Sequence, residues 1–374
     1  MLKSNFSEKT KRIIFLTVFL IPLFVFESIG SDPPHHSGDG TFVNPYVDID
    51  VRKPGLIDKV WWKFQYYALK KPFIQNNFEY SIIPPEFVNP PERINGGTVT
   101  WVGHATFLVQ VDGLNILTDP VWSERVGILN SRIGPQRYTP PGVPWEKLPP
   151  IDAVVISHNH YDHLDFPTVL QLEEEHQPVF FVPLGVGELL EQWGISNIVE
   201  KDWWESGTMG GLHIIAVPAQ HQARRNLHDH NTTLWAGWVI KASELTLYFA
   251  GDTGYFPGFR EIGDRLGPID LAMMPIGAYD PDWYNALYHV NPAEALKGFL
   301  DLDARFFAAM HWGTFDQSEE YLSDPPRELL HAVRNTGVDE ERIWIFAFGE
   351  SRMVPPRKKK EITTLGEEKQ ENTK

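Results

Sequence analysis

The chain has 374 residues, 42% of them apolar and 13% aromatic, enough to bury one large core or two moderate ones. Its 33 basic and 49 acidic residues leave a formal charge of −16, which argues against a nucleic-acid polyanion as the main ligand. With no cysteine, disulfides, thiolate metal sites and cysteine nucleophiles are excluded, and any metal must sit on histidine and carboxylate.

Lys3, Lys9, Lys11 and Arg12 precede an apolar run from Ile13 to Phe26, and Ser28 and Gly30 follow it, the pattern of an export signal. The run falls short of the about 20 apolar residues of a full membrane span. Residues 1–30 are therefore expected to be a cleaved signal or a retained anchor. The protein would then be exported (periplasmic or outer-surface) or membrane-anchored, the alternative being membrane association on the cytoplasmic side. Residues 31–97 are rich in Pro and Gly around one aromatic, helix-like segment near Trp61–Lys70 and are expected to form an N-terminal arm.

Regular patterning begins at Thr98. TVTWVG, ATFLVQV and LNILTDP read as three short strands, the last two joined by an Asp112-Gly113 turn. Residues 121–150 carry many Pro, Gly and Arg residues without clear periodicity and read as a long ordered loop. Further strands are expected at Ala153–Ile156, Val179–Val182, Leu212–Val217, Leu234–Ile240, Leu245–Ala250, Leu271–Met274 and Arg305–Ala309, alternating with helical stretches such as Thr168–His176 and Pro292–Leu300. This alternation indicates α/β sheets covered by helices across a catalytic domain at 98–350. The charged stretch 351–374 is expected to be a disordered tail.

The chemistry is concentrated in AVVISHNHYDHLD, 153–165, where an apolar strand runs straight into three histidines and two aspartates. Side chains two apart at a strand end, His158 and His160, can face one ion, and the turn over Tyr161 presents Asp162 and His163 to a second. Imidazole and carboxylate suit zinc with a position left open for water. Further ligands should follow other strands, and His221, Asp252 and His311 do so in VPAQHQ, YFAGDTGY and FFAAMHWGTF. A lone histidine is more often an ordinary hydrogen-bonded residue, but this joint pattern has no economical structural role.

HNHYDH at 158–163, with the later His221, Asp252 and His311, resembles the metallo-β-lactamase superfamily. Within it, WVGHATFLVQ (101–110), LTDP (117–120), DWWE (202–205), AGDTGY (250–255), PIGAY (275–279) and HWGTF (311–315) resemble the N-acylphosphatidylethanolamine-hydrolysing phospholipase D family, over roughly residues 95–350. The resemblance implies an αβ/βα sandwich with two zinc ions at the edge of its sheets. It implies one zinc on His158, His160 and His221, the other on Asp162, His163 and His311, and Asp252 bridging. It also implies attack by hydroxide on phosphorus of an N-acylated phosphatidylethanolamine, releasing an N-acylethanolamine and phosphatidic acid.

Asp162 and His289 are the catalytic candidates, His289 because YHVNP sits where the family places a histidine beside the substrate. Val290 and Asn291 depart from the family pattern there, which leaves a structural hydrogen bond as the competing role. His104, in GHAT, is read as supporting a ligand rather than binding metal. Arg224 and Arg225, just after His221, are candidates for a substrate phosphate. The 121–138 loop mixes Trp122, Ile128, Leu129 and Ile133 with Arg125, Arg132 and Arg137, a composition suited to a membrane surface or to a packed loop. His35, His36, His176, His213, His228, His230 and His331 lack comparable context and read as surface or structural. The expected partners are thus a phospholipid and a membrane surface, not nucleic acid, and a homodimer is left open. A lactonase or phosphodiesterase acting on a soluble ester is the alternative, and a non-catalytic zinc protein is disfavoured because a structural site closes with four ligands.

Overall fold

The computed structural model describes residues 33–46 and 81–357, with positions 55, 61, 64 and 65 between them. The expected signal or anchor, most of the Trp61–Lys70 segment and the tail from 358 lie outside the described residues. From Pro34 onward the described residues belong to one compact unit. Among them no helix is long and apolar enough to cross a membrane.

Fourteen strands build two seven-stranded sheets among the described residues. The first carries β1 (Gly97–Gly103), β2 (Thr106–Val111), β3 (Leu114–Thr118), β4 (Ala153–Val155), β5 (Val179–Pro183) and β6 (Ile198–Lys201), with the last strand, β14 (Ser351–Met353), outside β1. The second runs β7 (Ser206–Met209), β8 (Leu212–Val217), β9 (Gly237–Lys241), β10 (Thr246–Phe249), β11 (Leu271–Pro275), β12 (Phe306–Met310) and β13 (Ile343–Trp344). Each half of the chain begins as an antiparallel meander and ends in parallel strands. Parallel neighbours require crossovers, and helices Phe166–Glu175, Val186–Gln192, Gly258–Leu266, Pro292–Asp301 and Asp324–Thr336 lie in these connections. The result is the expected αβ/βα sandwich.

Strand alternation explains the layers. In the first sheet Leu108, Leu117, Val154, Phe180 and Val182 pack with Val169, Leu172, Val186 and Leu190 of the covering helices. Their neighbours Phe107, Val109, Ile116, Val155 and Phe181 instead join the core shared with the second sheet. Both faces are dry, so these strands read as continuous apolar runs. The Asp112-Gly113 turn has φ of 49° and 77°, the left-handed pair that a two-residue hairpin requires and that glycine adopts without strain.

The expected strands all form, with ends shifted by a few residues. β6, β7, β13 and β14 were not expected: all are short, and β6, β7 and β14 carry polar residues such as Glu200, Lys201, Ser206 and Arg352. The boundary at residue 350 is corrected accordingly. Ser351–Met353 pairs with β1, Val354 is buried and Arg357 binds Asp270. An edge strand of three residues is too short to show a period.

Trp238 of β9 is fully buried and donates from Nε1 to the carbonyl of Ile156, just past β4, at 2.8 Å. It therefore ties the second sheet to the first directly beneath the HNHYDH segment. Trp238→Ala is expected to destabilise by about 3–5 kcal/mol through loss of a large core side chain. Trp238→Phe, which mainly strands the carbonyl, should cost about 1–3 kcal/mol. Urea denaturation of both variants tests this ordering.

Candidate metal centre

The site lies where strands of both sheets end. β4 runs into His158–His163, β3 into Asp119, β1 into His104, β8 toward His221, β10 toward Asp252 and β12 directly into His311. Ends of rigid strands hold side chains more precisely than loops alone. Gly251, with φ of 60°, lets the chain after β10 pass so close to Ser157 that a Cβ there would lie 2.4 Å from the Ser157 Cβ.

These residues converge in two groups whose ligand atoms lie within 4.8 Å of one another: His158, His160, His221 and Asp252, and His104, Asp162, His163 and His311. In the first, His158 Nε2 is 2.7 Å and His221 Nε2 3.3 Å from His160 Nδ1. In the second, His163 Nε2 is 3.2 Å from His311 Nε2, and Asp162 Oδ2 is 3.4 Å from His163 and 3.7 Å from His311. Asp252 reaches both groups. Its Oδ2 stands 3.1 Å from His163 and 3.9 Å from His221, and its Oδ1 3.1 Å from His311.

The outward nitrogens decide what faces inward. His163 Nδ1 donates to Asp119 at 2.7 Å, His221 Nδ1 to the Tyr288 carbonyl at 2.8 Å, and His158 Nδ1 lies 2.9 Å from the Ser157 hydroxyl, which itself donates to Asp119. With the outer nitrogens so engaged, each Nε2 is the nitrogen turned to the centre, where its lone pair is open to an ion once His163 gives up its proton. Lone pairs and carboxylates facing each other in a buried space fit metal ions, and the thiolate-free donor set is the borderline one.

Some contributors were not singled out in the sequence. Asp119 is fully buried and also accepts from the Ser157 amide; its place at a strand end, inside LTDP, was the available signal. Asn44, from residues 33–46, donates to the His221 carbonyl at 2.8 Å and accepts from its amide at 3.2 Å. Gln317 donates to Asp162 at 3.0 Å. Nothing in the sequence marks these last two. His104 donates to the same Asp162 oxygen at 2.9 Å.

A cavity of about 520 Å³ opens from His160, Asp162 and Asp252, walled by Tyr284, Tyr288 and His289 and rimmed by residues 126–128 and 133–135. His289 Nδ1 lies 3.8 Å from Asp252 and makes no hydrogen bond among the described residues. The two arginines separate. Arg225 donates to the carbonyls of Asn159 and Leu164 and stacks on Tyr161, whereas Arg224 is exposed and lies near Tyr284 of the cavity wall. In the 121–138 loop, Arg137 is buried and donates to the carbonyls of Val121 and Ser123. Trp122 turns inward and donates to the Val143 carbonyl.

Residues 114–312 match a family profile described as the beta-lactamase superfamily domain. An N-acyl-phosphatidylethanolamine-hydrolyzing phospholipase D of Caenorhabditis elegans is 40% identical over 271 residues, 67% of this chain and 76% of that one. The chain belongs to this family of the β-lactamase superfamily. An uncharacterised protein of Mycobacterium tuberculosis is 45% identical over 240 residues, and the chain spans 63% of its length. Among solved structures, the metallo-hydrolase Igni18 of Ignicoccus hospitalis superposes with a TM-score of 0.53 at 22% identity, covering 70% of this chain and all of that one.

Metal-free, this superfamily site balances its own charges. Burial raises the cost of ionising Asp162 and Asp252, but the facing imidazolium groups outweigh it and hold both well below the usual carboxylate range. Burial also disfavours charge on His163 and His311. The Asp252 and Asp162 carboxylates outweigh it, holding His163 well above the usual range and pushing His311 up to about 9. Burial keeps His158 and His221 well below that range and lowers His160 to about 4. A metal ion must therefore displace protons from His163 and His311 near neutral pH. Their raised pKa means that competition is strongest at low pH and fades as pH rises toward about 9 for His311. Metal affinity should rise across that window with proton release. Calorimetric titration in buffers of different ionisation enthalpy reads this directly; uptake without proton release at pH 7 would contradict it.

Proposed function

We propose that the protein is a metal-dependent phosphodiesterase of phospholipase D type that hydrolyses N-acylphosphatidylethanolamine to an N-acylethanolamine and phosphatidic acid. The observation that carries this reading is the cavity, which has the open sides of both metal-ligand groups at its floor and apolar residues at its rim. Family membership and the names of relatives support the same chemistry. Two zinc ions would be held by His158, His160 and His221 and by Asp162, His163 and His311, with Asp252 shared. Bound ions would supply Lewis acidity toward the phosphoryl oxygens and make water a nucleophile at neutral pH.

The chain's own groups then have distinct tasks. Asp162, fixed by His104 and Gln317, orients water at the cavity floor. Burial lowers the His289 pKa to about 4, so it is neutral at pH 7 and its free Nδ1 can accept a proton and return it to the departing N-acylethanolamine oxygen. Tyr284 and Tyr288, pushed above the usual phenol range by burial, stay protonated and offer hydrogen bonds to the phosphate. Arg224, exposed and held by its Nε on the Asn226 carbonyl, would meet it from the rim with its terminal nitrogens; Arg225 acts from behind, bracing Asn159 and Leu164.

Ile128, Leu129 and Ile133 are exposed at the tip of the 121–138 loop, and Leu227 is exposed beyond Arg224. This apolar fringe, with exposed Arg132 beside it, suits contact with a lipid surface. Leu129→Asp is expected to reduce turnover on vesicles about tenfold while sparing a water-soluble short-chain substrate, in line with the cost of placing a charge at the interface. Equal loss on both substrates would remove the loop from membrane contact.

Cleavage of the phosphorus–oxygen bond is the sharper test. Hydrolysis in oxygen-18 water should place label on phosphatidic acid and none on the N-acylethanolamine. Label on the N-acylethanolamine would mean carbon–oxygen cleavage. Absence of turnover on any phospholipid would favour a soluble ester as substrate.

A further inference from the structure

Residues 34–46 and the 202–205 turn bring together three side chains that the catalytic centre does not use. His35 Nε2 lies 2.6 Å from Asp202 Oδ1, and His36 Nε2 lies 2.9 Å from Asp202 Oδ2. We propose that His35, His36 and Asp202 form a further cation site, separate from the catalytic centre, that takes a divalent ion of the zinc, cobalt or nickel class and fastens residues 34–46 to the 202–205 turn.

The donors are those of a borderline metal, two imidazoles and one carboxylate, and their ligand atoms all lie within 4.8 Å of one another, as in the two catalytic groups. The site is built in advance of any ion. Consecutive histidines are held by a small hairpin, in which the Val43 amide donates to the His35 carbonyl, the Ser37 amide to the Thr41 carbonyl, and His36 pairs with Phe42. His35 is buried and stacked on Trp203, ring centroids 4.1 Å apart, which fixes its Nε2 toward Asp202. His36 stands edge-on to Phe42 and keeps 29% of its side chain exposed, so water can complete a three-ligand site from outside. Asp202 carries the required charge: burial opposes it, but hydrogen bonds from His35 and the Trp203 amide outweigh burial and hold its pKa below the usual range.

The ion would replace the proton now shared on each side of the carboxylate, turning a hydrogen-bonded clasp into a coordinated one. Its consequence reaches the catalytic centre through backbone. The same segment carries Asn44, whose side chain grips both the amide and the carbonyl of His221, so fastening the hairpin steadies a candidate catalytic ligand from behind.

Titration of the stripped full-length chain with zinc at pH 7.5, read by calorimetry and elemental analysis, tests the site. His36→Gln should bind one ion fewer per chain than the natural protein, and so should Asp202→Asn, which retains an oxygen acceptor for hydrogen bonding but loses the charge. Unchanged far-ultraviolet circular dichroism would show that both variants fold. Identical stoichiometry in all three proteins would overturn the proposal and leave a hydrogen-bonded clasp. The readout is a difference between proteins, so it stands even if the total per chain departs from the count expected of the catalytic centre. A wrong substrate leaves it untouched.

Discussion

Asp252 stands 3.1 Å from both His163 and His311 at a depth where it is 3% exposed. An unpaired carboxylate there would cost several kcal/mol. The surrounding structure is arranged to meet that charge. His163 and His311 arrive from different sheets, one past β4 and the other past β12, so each sheet supplies one of the two imidazoles facing Asp252. The sandwich must therefore be locked in register near this point, which is where Trp238 of one sheet donates to the Ile156 carbonyl of the other. Stability of the fold and composition of the site are, at this place, the same requirement.

Convergence of so many polar side chains also needs backbone that ordinary strands do not supply. His104, Asp119 and His311 all take positive φ, at 52°, 32° and 61°, conformations costing about 1–3 kcal/mol each for residues other than glycine. Each is overdetermined by its neighbours. The His311 amide donates to the His104 carbonyl, the His104 amide to Thr314 Oγ1, and the Asp119 carboxylate collects three donors from Ser157 and His163. Strain and hydrogen bonding thus fix the backbone that aims these side chains at the centre, and the Nδ1 bond of His163 to Asp119 leaves its Nε2 as the nitrogen turned inward. That preparation favours metal over water in a buried cluster of this kind.

Legibility in the sequence followed the range of the interactions. Runs such as AVVI and LAMM have both faces dry, so their strands were readable from composition, while the edge strands Ser206–Met209 and Ser351–Met353 mix polar residues with apolar ones and were not. His158–His163 announced itself because its members are adjacent. His221, Asp252 and His311 were found because each follows an apolar strand. Asp119 obeys the same rule, yet an aspartate before a proline reads first as a turn. Asn44 and Gln317 could not be found at all, since Asn44 meets its partner 177 residues along the chain and Gln317 meets Asp162 155 residues away. His35 and His36 looked like surface residues for the same reason: what gives them meaning is a carboxylate 167 and 166 residues distant.

The disposition of the arginines bears on how a chain of charge −16 could receive an anionic phosphodiester. Arg137 and Arg225 are the deeply placed cations beside the cavity, and both spend their donors on backbone carbonyls, Arg137 over Phe315 and Arg225 over Tyr161. Arg125 likewise binds the Gly134 carbonyl and Gln136 within its own loop. These guanidinium groups hold loop backbone in place where it would otherwise leave unpaired acceptors. Exposed Arg224 and Arg132 stand at the rim, where solvent and salt screen them. Asp162 and Asp252 add negative charge at the floor. On the proposed reading, attraction for the phosphate must then come chiefly from the metal ions, two divalent cations against two carboxylates leaving a net positive floor. On that reading, removing metal would let the His163 and His311 imidazolium groups balance the two carboxylates, cancelling the positive charge of the cavity floor as well as removing its chemistry, so substrate binding and turnover would be coupled through the same ligands.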